Sequence, residues 1–347
     1  MLQGRHKTIL RCGLLIGLVF GGRAVFAMDT LRVLTWPGYA DSDVVARFEQ
    51  RFQVRVDITY ADSDEALWKR LHARPSPDFD VVAANTVEIA RYVREGLLAP
   101  LDTALLPNTR RQLPRFQARA SIPGLVAGGK VYAIPYTYSA MGLIYDRRQV
   151  RTPPQSMSEL WNPRYRHRVL IYNSAAHNFS LTALSLGVAD PFRLDPARMR
   201  QVARRLVDLR RNILTYYTLP EEATELFMQH HVALLFANYG TQQLTLLRRA
   251  GADVAYAMPR EGALAWLDCW AMTRGAANRP LAQAWINYML DPDVGATLTR
   301  RQGLANTLAP AAPGDAARIV WLAPVEDIEQ REALWRRIVS GDRPGRF

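Results

Sequence analysis

Apolar residues in the first part of the chain follow strand and helix spacings in turn. A mostly apolar segment over residues 31–36 predicts a buried strand. Over residues 44–52 the apolar side chains recur at the spacing of one helical face, and over 54–60 they alternate with polar ones as in a half-buried strand. A strand, a helix and a second strand in such close succession predict a βαβ unit with parallel strands.

The same succession continues along the chain. Helical spacing predicts helices over 67–71, 87–93, 179–186 and 197–213, and apolar runs predict strands over 79–84, 169–172 and 232–236. We therefore predict an α/β protein of two lobes, each an open, mostly parallel sheet with flanking helices, with a ligand cleft between the lobes. Ligands of such sheets bind beyond the carboxyl ends of the strands, which here carry Trp36, Tyr39 and Asn85.

Residues 1–27 have the layout of a secretory signal peptide. A basic start over residues 5–11 precedes an apolar run over 13–20, and small residues lead up to Ala27. The apolar run is too short to span a bilayer. We expect cleavage near Ala27 and export of the remaining chain to the periplasm.

The positive net charge suggests a nucleic-acid partner, but the distribution of the basic residues argues against one. The chain of 347 residues has 44 Lys and Arg against 32 Asp and Glu, a formal net charge of +12. A basic chain of this kind raises the question of nucleic-acid binding. The basic residues are almost all arginine and are scattered in pairs, as on solvated helix faces, so we expect no nucleic-acid partner.

One segment approaches the phosphate-binding loop motif. Residues 124–130 nearly match its glycine and lysine spacing, but Val131 stands where a hydroxyl group should hold magnesium. The residues that follow predict a strand, whereas phosphate binding needs a helix N-terminus there. We interpret Gly128 and Gly129 as a hairpin turn instead.

Candidate catalytic and metal-binding residues do not form a site. His230 and His231 are adjacent, so on a helix their side chains diverge and cannot share a metal ion. Cys269 follows Asp268, whose charge disfavours a thiolate, so a buried structural cysteine is expected. We predict no enzyme activity, no catalytic residue, no metal and no cofactor.

Trp266 and Asp268 are the strongest candidates for ligand chemistry. Two residues apart on an extended strand, their side chains point the same way. An indole face beside a carboxylate suits an ammonium group, through a cation–π contact and a charge-assisted hydrogen bond. The alternative, core aromatics beside a salt-bridged aspartate, fits this pattern equally well.

Several stretches resemble, in order, the periplasmic spermidine/putrescine-binding proteins of ABC importers. They are residues 35–39, 79–82, 95–102, 129–136, 158–165, 266–268 and 290–295. The resemblance implies a two-lobed type II binding-protein fold, whose lobes close on a ligand and deliver it to a permease. It places the first lobe at 28–137 plus 269–311 and the second at 138–268 plus 312–347.

The resemblance also implies roles for individual residues. Trp36 and Tyr39 match ligand-stacking aromatics, Phe236 matches a further aromatic wall, and Trp266 and Asp268 match a pair that holds one amine. Together with the strand-end pattern, the predicted ligand-binding residues are Trp36, Tyr39, Asn85, Ser174, His177, Phe236, Tyr239, Trp266 and Asp268.

The second half of the predicted site departs from the family. The loop over residues 173–178 contains no acid where the family places carboxylates, and Tyr239 stands where another acid is expected. Since a buried ammonium group needs a counter-charge, we hypothesise a ligand with one cationic amine at Asp268 and a neutral or anionic far end. A protonated His177 would face a carboxylate there. Alternatively, Ser174 and His177 simply begin a helix.

We therefore predict an exported, monomeric solute-binding protein of an ABC importer. It binds a small amine-bearing solute, either polyamine-like or mono-cationic, by hinge closure and delivers it to a permease in the inner membrane. A ligand sensor that does not serve transport is the first alternative, and an enzyme that uses the same cleft is the second.

Overall fold

A computed structural model describes residues 28–73, 79–309 and 319–342. The predicted signal peptide lies outside these described residues. Across the described ranges, no helix combines the length and the apolar character needed to cross a membrane.

The chain begins with parallel strands connected by helices. The elements are β1 (Thr30–Thr35), α1 (Ser42–Phe52), β2 (Arg55–Tyr60), α2 (Asp64–His72), β3 (Val81–Asn85), α3 (Thr86–Arg94) and β4 (Leu98–Ala99). β1 pairs in parallel with both β2 and β3, which confirms the predicted βαβ unit. α1 buries Val44, Val45 and Phe48, the face that the apolar spacing indicated.

The next segment leads to the first crossing between lobes. Its elements are α4 (Pro114–Gln117), β5 (Val126–Ala127), β6 (Lys130–Val131) and β7 (Ala133–Ala140). β5 and β6 form an antiparallel hairpin, and both Gly128 and Gly129 at its turn have positive φ, 54° and 72°. Because β7 rather than a helix follows, this segment has none of the geometry of a phosphate-binding loop.

The second lobe contains its own sheet. Its elements are β8 (Leu143–Asp146), β9 (Val169–Tyr172), α5 (Ala175–Ser185), α6 (Pro196–Leu209), β10 (Ile213–Tyr217), α7 (Pro220–Gln229), β11 (Leu234–Phe236), α8 (Thr241–Arg249) and β12 (Val254–Ala257). The strands lie in the order β10-β9-β11-β8-β12. β9, β10 and β11 are mutually parallel, and β8 runs antiparallel to β11.

The predicted helix over 197–213 is too long at its C-terminal end. α6 stops at Leu209, and Ile213 opens the strand β10. The buried Asn212 donates hydrogen bonds from Nδ2 to the carbonyls of Leu160 and Asn162, both at 2.8 Å. These tertiary bonds fix the turn between helix and strand, and the apolar spacing does not encode them.

The chain then returns to the first lobe. The remaining elements are β13 (Ala263–Thr273), α9 (Arg279–Met289), α10 (Pro292–Gln302), β14 (Ala305–Asn306), β15 (Ile319–Trp321) and α11 (Ile328–Val339). The main path of the first sheet is β14-β7-β13-β3-β1-β2, and β4 and β15 also pair with β13. β13 is antiparallel to both β3 and β7, so it fills the centre of this sheet.

Strands β7 and β13 extend past the lobe boundaries expected at 137/138 and 268/269. Their ladder runs from the pair Ala265–Ala140 onward, so both strands lie wholly in the first sheet. The chain crosses between sheets at 141–142 and 258–262 instead. Trp266 and Asp268 are therefore residues of the first lobe. β15 also joins this sheet, whereas α11 packs on α5 and α6 of the second lobe.

Both faces of the first sheet are covered. Along β3, Val81 and Ala83 belong to one buried cluster, and Val82 and Ala84 belong to another. Alternate residues of a strand point to opposite faces, so these clusters are the two layers of helix packing on the sheet. With both faces buried, the strand ends are the part of the sheet left for a ligand.

Candidate ligand-binding cleft

The centre of the site is a hydrogen bond between two residues far apart in sequence. Tyr39, in the loop after β1, donates from Oη to Oδ2 of Asp268 on β13 at 2.6 Å. Both side chains are almost fully buried, with 7% and 6% exposure. Among the described residues, no lysine, arginine or histidine forms an ion pair with Asp268. The site thus contains a buried carboxylate without a cation.

Burial controls the charge of this carboxylate. Desolvation raises the pKa of Asp268 to about 7, although the hydrogen bond from Tyr39 opposes that rise. Asp64, through its own negative charge, raises the pKa of Asp268 further. A cationic group placed beside Asp268 would favour its ionised form.

The loop that holds Tyr39 depends on glycine. Gly38 has φ +81°, and a Cβ built on it would approach the side-chain amide of Gln302 on α10 to 2.5 Å. The backbone N–H of Tyr39 donates to the carbonyl of Trp36 at 3.3 Å, which closes the turn. Trp36 is half-buried and packs against both apolar clusters of the first lobe.

Trp266 lies where the two lobes meet. Its indole Nε1 donates to the backbone carbonyl of Asn238, beyond β11, at 3.1 Å. The ring packs against a core cluster of each lobe. Trp266 and Asp268 alternate on β13 and so lie on one face of that strand, as the sequence predicted.

Asn85 reaches the site mainly as a helix cap. Its Oδ1 accepts hydrogen bonds from the backbone N–H groups of Val87 and Glu88 at the start of α3. Its Nδ2 donates to Oδ1 of Asp64 at 3.0 Å. Asp64 is absent from the residues predicted from the sequence. Its one sign in the sequence is its place shortly beyond Tyr60, the carboxyl end of the parallel strand β2, where ligands of such sheets bind.

The second lobe presents a wall of uncharged polar rings. The Nδ1–H of His177 donates to Oδ1 of Asn238 at 2.9 Å, and the imidazole stacks on Tyr172 at 5.7 Å between ring centroids. Tyr239 packs edge-on against Tyr172 and donates from Oη to the carbonyl of Thr218 at 2.8 Å. These side chains offer hydrogen bonds and ring faces and are themselves uncharged, whereas the nearby Glu221 carboxylate adds, after burial and Tyr172, to the raised pKa of Tyr239.

Burial of His177 argues against the protonated form, which the sequence left as one option. Desolvation lowers the pKa of this imidazole to about 4, and the bond to Asn238 compensates only in part. At neutral pH the ring is uncharged, so it is no counter-charge for a ligand carboxylate.

The structure gives Ser174 and Phe236 structural roles. A helix start was the alternative predicted for Ser174, whereas burial of Phe236 in a core was not predicted. Ser174 is the N-cap of α5, and its Oγ accepts from the N–H of His177 at 3.3 Å, which matches the alternative of a simple helix start. Phe236 is 0% exposed in the core of the second lobe. The structure therefore does not bring the ring of Phe236 into the same group as Tyr39, Trp266 and Asp268.

The cysteine and the two adjacent histidines considered as catalytic or metal-binding residues do not form a site. Cys269 is a free, fully buried cysteine, and desolvation raises the pKa of its thiol well above the usual value. His230 and His231 are exposed after the end of α7. Within the described part of the chain, no three His, Cys, Asp or Glu side chains are grouped as metal ligands.

Comparisons with known proteins identify the family. A family model described as bacterial extracellular solute-binding protein matches residues 43–320. The chain is 25% identical over 275 residues to spermidine/putrescine-binding periplasmic protein 1 of Haemophilus influenzae, covering 79% of this chain and 74% of the relative. It is 26% identical over 329 residues to the putrescine-binding periplasmic protein PotF of Escherichia coli, covering 88% and 87%.

Solved structures show the same fold. The spermidine/putrescine substrate-binding protein PotD of Streptococcus pneumoniae superposes with a TM-score of 0.76 at 20% identity, covering 90% of this chain and 99% of that one. The binding protein AgtB of A. tumefaciens R10, in complex with agropinic acid, gives 0.66 at 19% identity, with 90% and 99% covered. The two-lobed α/β fold is thereby confirmed, and the chain belongs to the bacterial extracellular solute-binding protein family.

Proposed function

We propose that this solute-binding protein takes an amine-bearing solute between its lobes, with an ammonium group paired to Asp268. The observation that carries the proposal is the nearly complete burial of Asp268 without a cation among the described residues. An ionised carboxylate in such surroundings is unfavourable until an opposite charge joins it. A ligand ammonium group supplies that charge.

The neighbours of Asp268 support this choice. Tyr39 fixes one carboxylate oxygen, and Trp266 and Trp36 bring indole rings to the same edge of the first sheet. Aromatic faces attract cations by about 0.5–2 kcal/mol. Relatives named for putrescine and spermidine bind solutes of this chemical class.

The second lobe completes the site mainly with uncharged groups. Tyr172, His177, Asn238 and Tyr239 offer neutral hydrogen-bonding groups and ring faces toward the rest of the ligand. Closure of the lobes would bury the solute between this wall and Asp268. The closed form is then recognised by the permease of an ABC importer in the inner membrane.

Export and transport follow from the same proposal. The curated relatives are named as periplasmic proteins, and the first 27 residues of this chain have the layout of a signal peptide. We propose a monomeric periplasmic protein that binds without catalysis. Genes for a permease and an ATPase next to the gene of this protein would support transport, and their absence would support ligand sensing.

A thermal-shift screen of residues 28–347 tests the proposal. The library contains diamines, polyamines, monoamines, amino acids and opine-like compounds. A ligand that binds only the folded state at a hundredfold excess over its Kd adds about 2.7 kcal/mol of stability. We expect stabilisation by amines in the wild type and none in Asp268→Asn. Stabilisation only by solutes without an amine contradicts the proposal.

A further inference from the structure

We propose that Asp64 is a second ligand-binding carboxylate of this cleft, so that a solute with two ammonium groups binds more tightly than a solute with one. One ammonium group pairs with Asp268 and the other with Asp64. This inference rests on the proposed function, because it extends the same site. It replaces the hypothesis of a single cationic amine, since the second acid comes from the first lobe rather than from the loop before α5.

Sheet register brings the two carboxylates to one edge. Asp268 on β13 lies directly opposite Asn85 on the neighbouring antiparallel strand β3. Side chains of directly opposite residues point to the same face, with Cβ atoms about 5 Å apart. The Asn85 amide then donates to Oδ1 of Asp64 at 3.0 Å. Asp268, Asn85 and Asp64 therefore follow one another along the ligand-facing edge.

Local structure holds Asp64 in this position. It is the first residue of α2, whose N-cap Ser63 accepts from the N–H of Ala66 at 3.2 Å. A helix N-terminus favours a carboxylate at this position. The hydrogen bond from Asn85, itself fixed as the cap of α3, orients the carboxylate.

Asp64 faces the second lobe as well as Asp268. Its negative charge raises the pKa of Asp268 on its own lobe and the pKa of Tyr172 on the other. The side chain keeps solvent access, while the protein around it raises its own pKa to about 6 by desolvation. The hydrogen bond from Asn85 keeps this accessible carboxylate at the edge of the first sheet, the same sheet whose Trp266 contacts the second lobe through Asn238.

The charges around Asp64 leave room for a cation. Among the described residues, Asp64 forms no ion pair with lysine or arginine. Its acidic neighbour Glu88 is paired with Arg91 at 3.7 Å, and the pKa of Glu88 is raised to about 7 by burial and by Asp64. Asp268, the other carboxylate of this edge, is almost fully buried, accepts a hydrogen bond from Tyr39 and forms no ion pair among the described residues. Two ligand ammonium groups would relieve the repulsion between these acids.

Isothermal titration calorimetry with two matched ligands tests the inference. The ligands are 1,4-diaminobutane and 4-amino-1-butanol, which replaces one ammonium group by a hydroxyl group. In the wild type we expect the diamine to bind at least about tenfold more tightly. In Asp64→Asn, which retains an acceptor for the Asn85 amide, we expect diamine affinity to fall by about tenfold or more and amino-alcohol affinity to change little.

Asp62→Asn is the matched control. It removes the same charge from an exposed side chain that lies two residues before Asp64. Its affinities should equal those of the wild type, and unchanged thermal unfolding of Asp64→Asn without ligand excludes a folding defect. If Asp64→Asn still prefers the diamine as the wild type does, the inference is overturned while amine binding stands. If the wild type binds neither amine, the proposed function itself fails.

Discussion

Asp268 is the residue at which the requirements of folding and of binding differ most. Its carboxylate is buried, accepts a hydrogen bond from Tyr39 and has no cationic partner among the described residues. The pKa of Asp268 in the folded protein is about 7, above the ordinary value of 3.8. The stability that this residue contributes is therefore fully present below pH 3.8 and is lost as the pH rises through 7.

Asp268→Asn should therefore stabilise the ligand-free protein at pH 8. Asparagine removes the buried charge and keeps an oxygen that accepts from Tyr39, so we expect a gain of about 1–3 kcal/mol in the free energy of unfolding. Thermal unfolding between pH 4 and pH 8 measures the effect, and the gain should disappear near pH 4. A variant less stable than the wild type at pH 8 contradicts this account of the site.

For His177, the dependence of folding stability on pH has the opposite sign. Its pKa in the folded protein is about 4, below the ordinary 6.5, because the folded state desolvates the ring. Stability from this residue is present above pH 6.5 and is lost as the pH falls through 4. NMR titration of the imidazole protons should give a midpoint near 4 in the wild type, whereas a midpoint near 6.5 would show that the ring is solvated.

At the scale of elements, the C-terminal helix fixes the wall of the second lobe. Arg331 on α11 is 0% exposed, pairs with Glu326, and donates to Oγ of Ser180 at 2.8 Å and to the carbonyl of Ala176 on α5. On the same helix, Trp335 donates to Oδ1 of Asn173, just before α5, at 2.9 Å. α11 thus positions the helix that carries His177.

Arg331→Ala should destabilise the second lobe strongly. The substitution leaves the Glu326 carboxylate and two α5 acceptors without their donor, so we expect a loss of about 3–5 kcal/mol. Chemical denaturation measures it. Arg336→Ala on the same helix is the control, because its pair with Glu332 is 72% exposed on the arginine side and should contribute less than about 1 kcal/mol. Equal losses for both variants contradict a specific role of Arg331.

The elements and the parallel pairing of β1 with β2 were predictable from sequence, but the pairing of strands far apart in the chain was not. Over residues 31–60, apolar residues recur with the period of two residues typical of strands and of 3.6 residues typical of a helix, and this pattern predicts the βαβ unit. No periodicity states that β13 lies between β3 and β7, so Trp266 and Asp268 were expected in the wrong lobe. Asp64 was missed for the same reason, because only the register of β3 and β13 brings Asn85 and Asp268 together.

At the scale of the whole molecule, the two lobes share one strand order. In each, three parallel strands are followed by an antiparallel strand, β13 in the first sheet and β8 in the second. Some contacts between the lobes lie near the crossings, where Ser139 donates to the carbonyl of Tyr239 at 3.1 Å and Tyr256 donates to the carbonyl of Ala140 at 2.9 Å. Others join α8 to the end of α10, where Thr241 donates to the carbonyl of Gly303 and Arg249 to that of Arg300. The chain itself crosses between the sheets at only a few places. Few segments therefore connect the lobes, an arrangement that permits hinge motion.

Closure on a ligand should make the molecule more compact. We expect 1,4-diaminobutane to lower the radius of gyration of the wild type in small-angle X-ray scattering. Asp268→Asn should show no change at the same ligand concentration, because it lacks the charge that retains the amine. A wild type that binds the diamine at an unchanged radius contradicts hinge closure.

The burial of Asp268 has a consequence for the conditions under which the proposed solute would bind. With a pKa of about 7, the Asp268 carboxyl is partly protonated at neutral pH. A cationic solute that binds beside Asp268 would favour the ionised carboxylate. Binding of the solute would therefore release the proton, and one positive charge would replace another. On the proposed function, protons would therefore compete with the solute, and binding should strengthen as the pH rises through about 7, as long as the amine of the solute stays protonated.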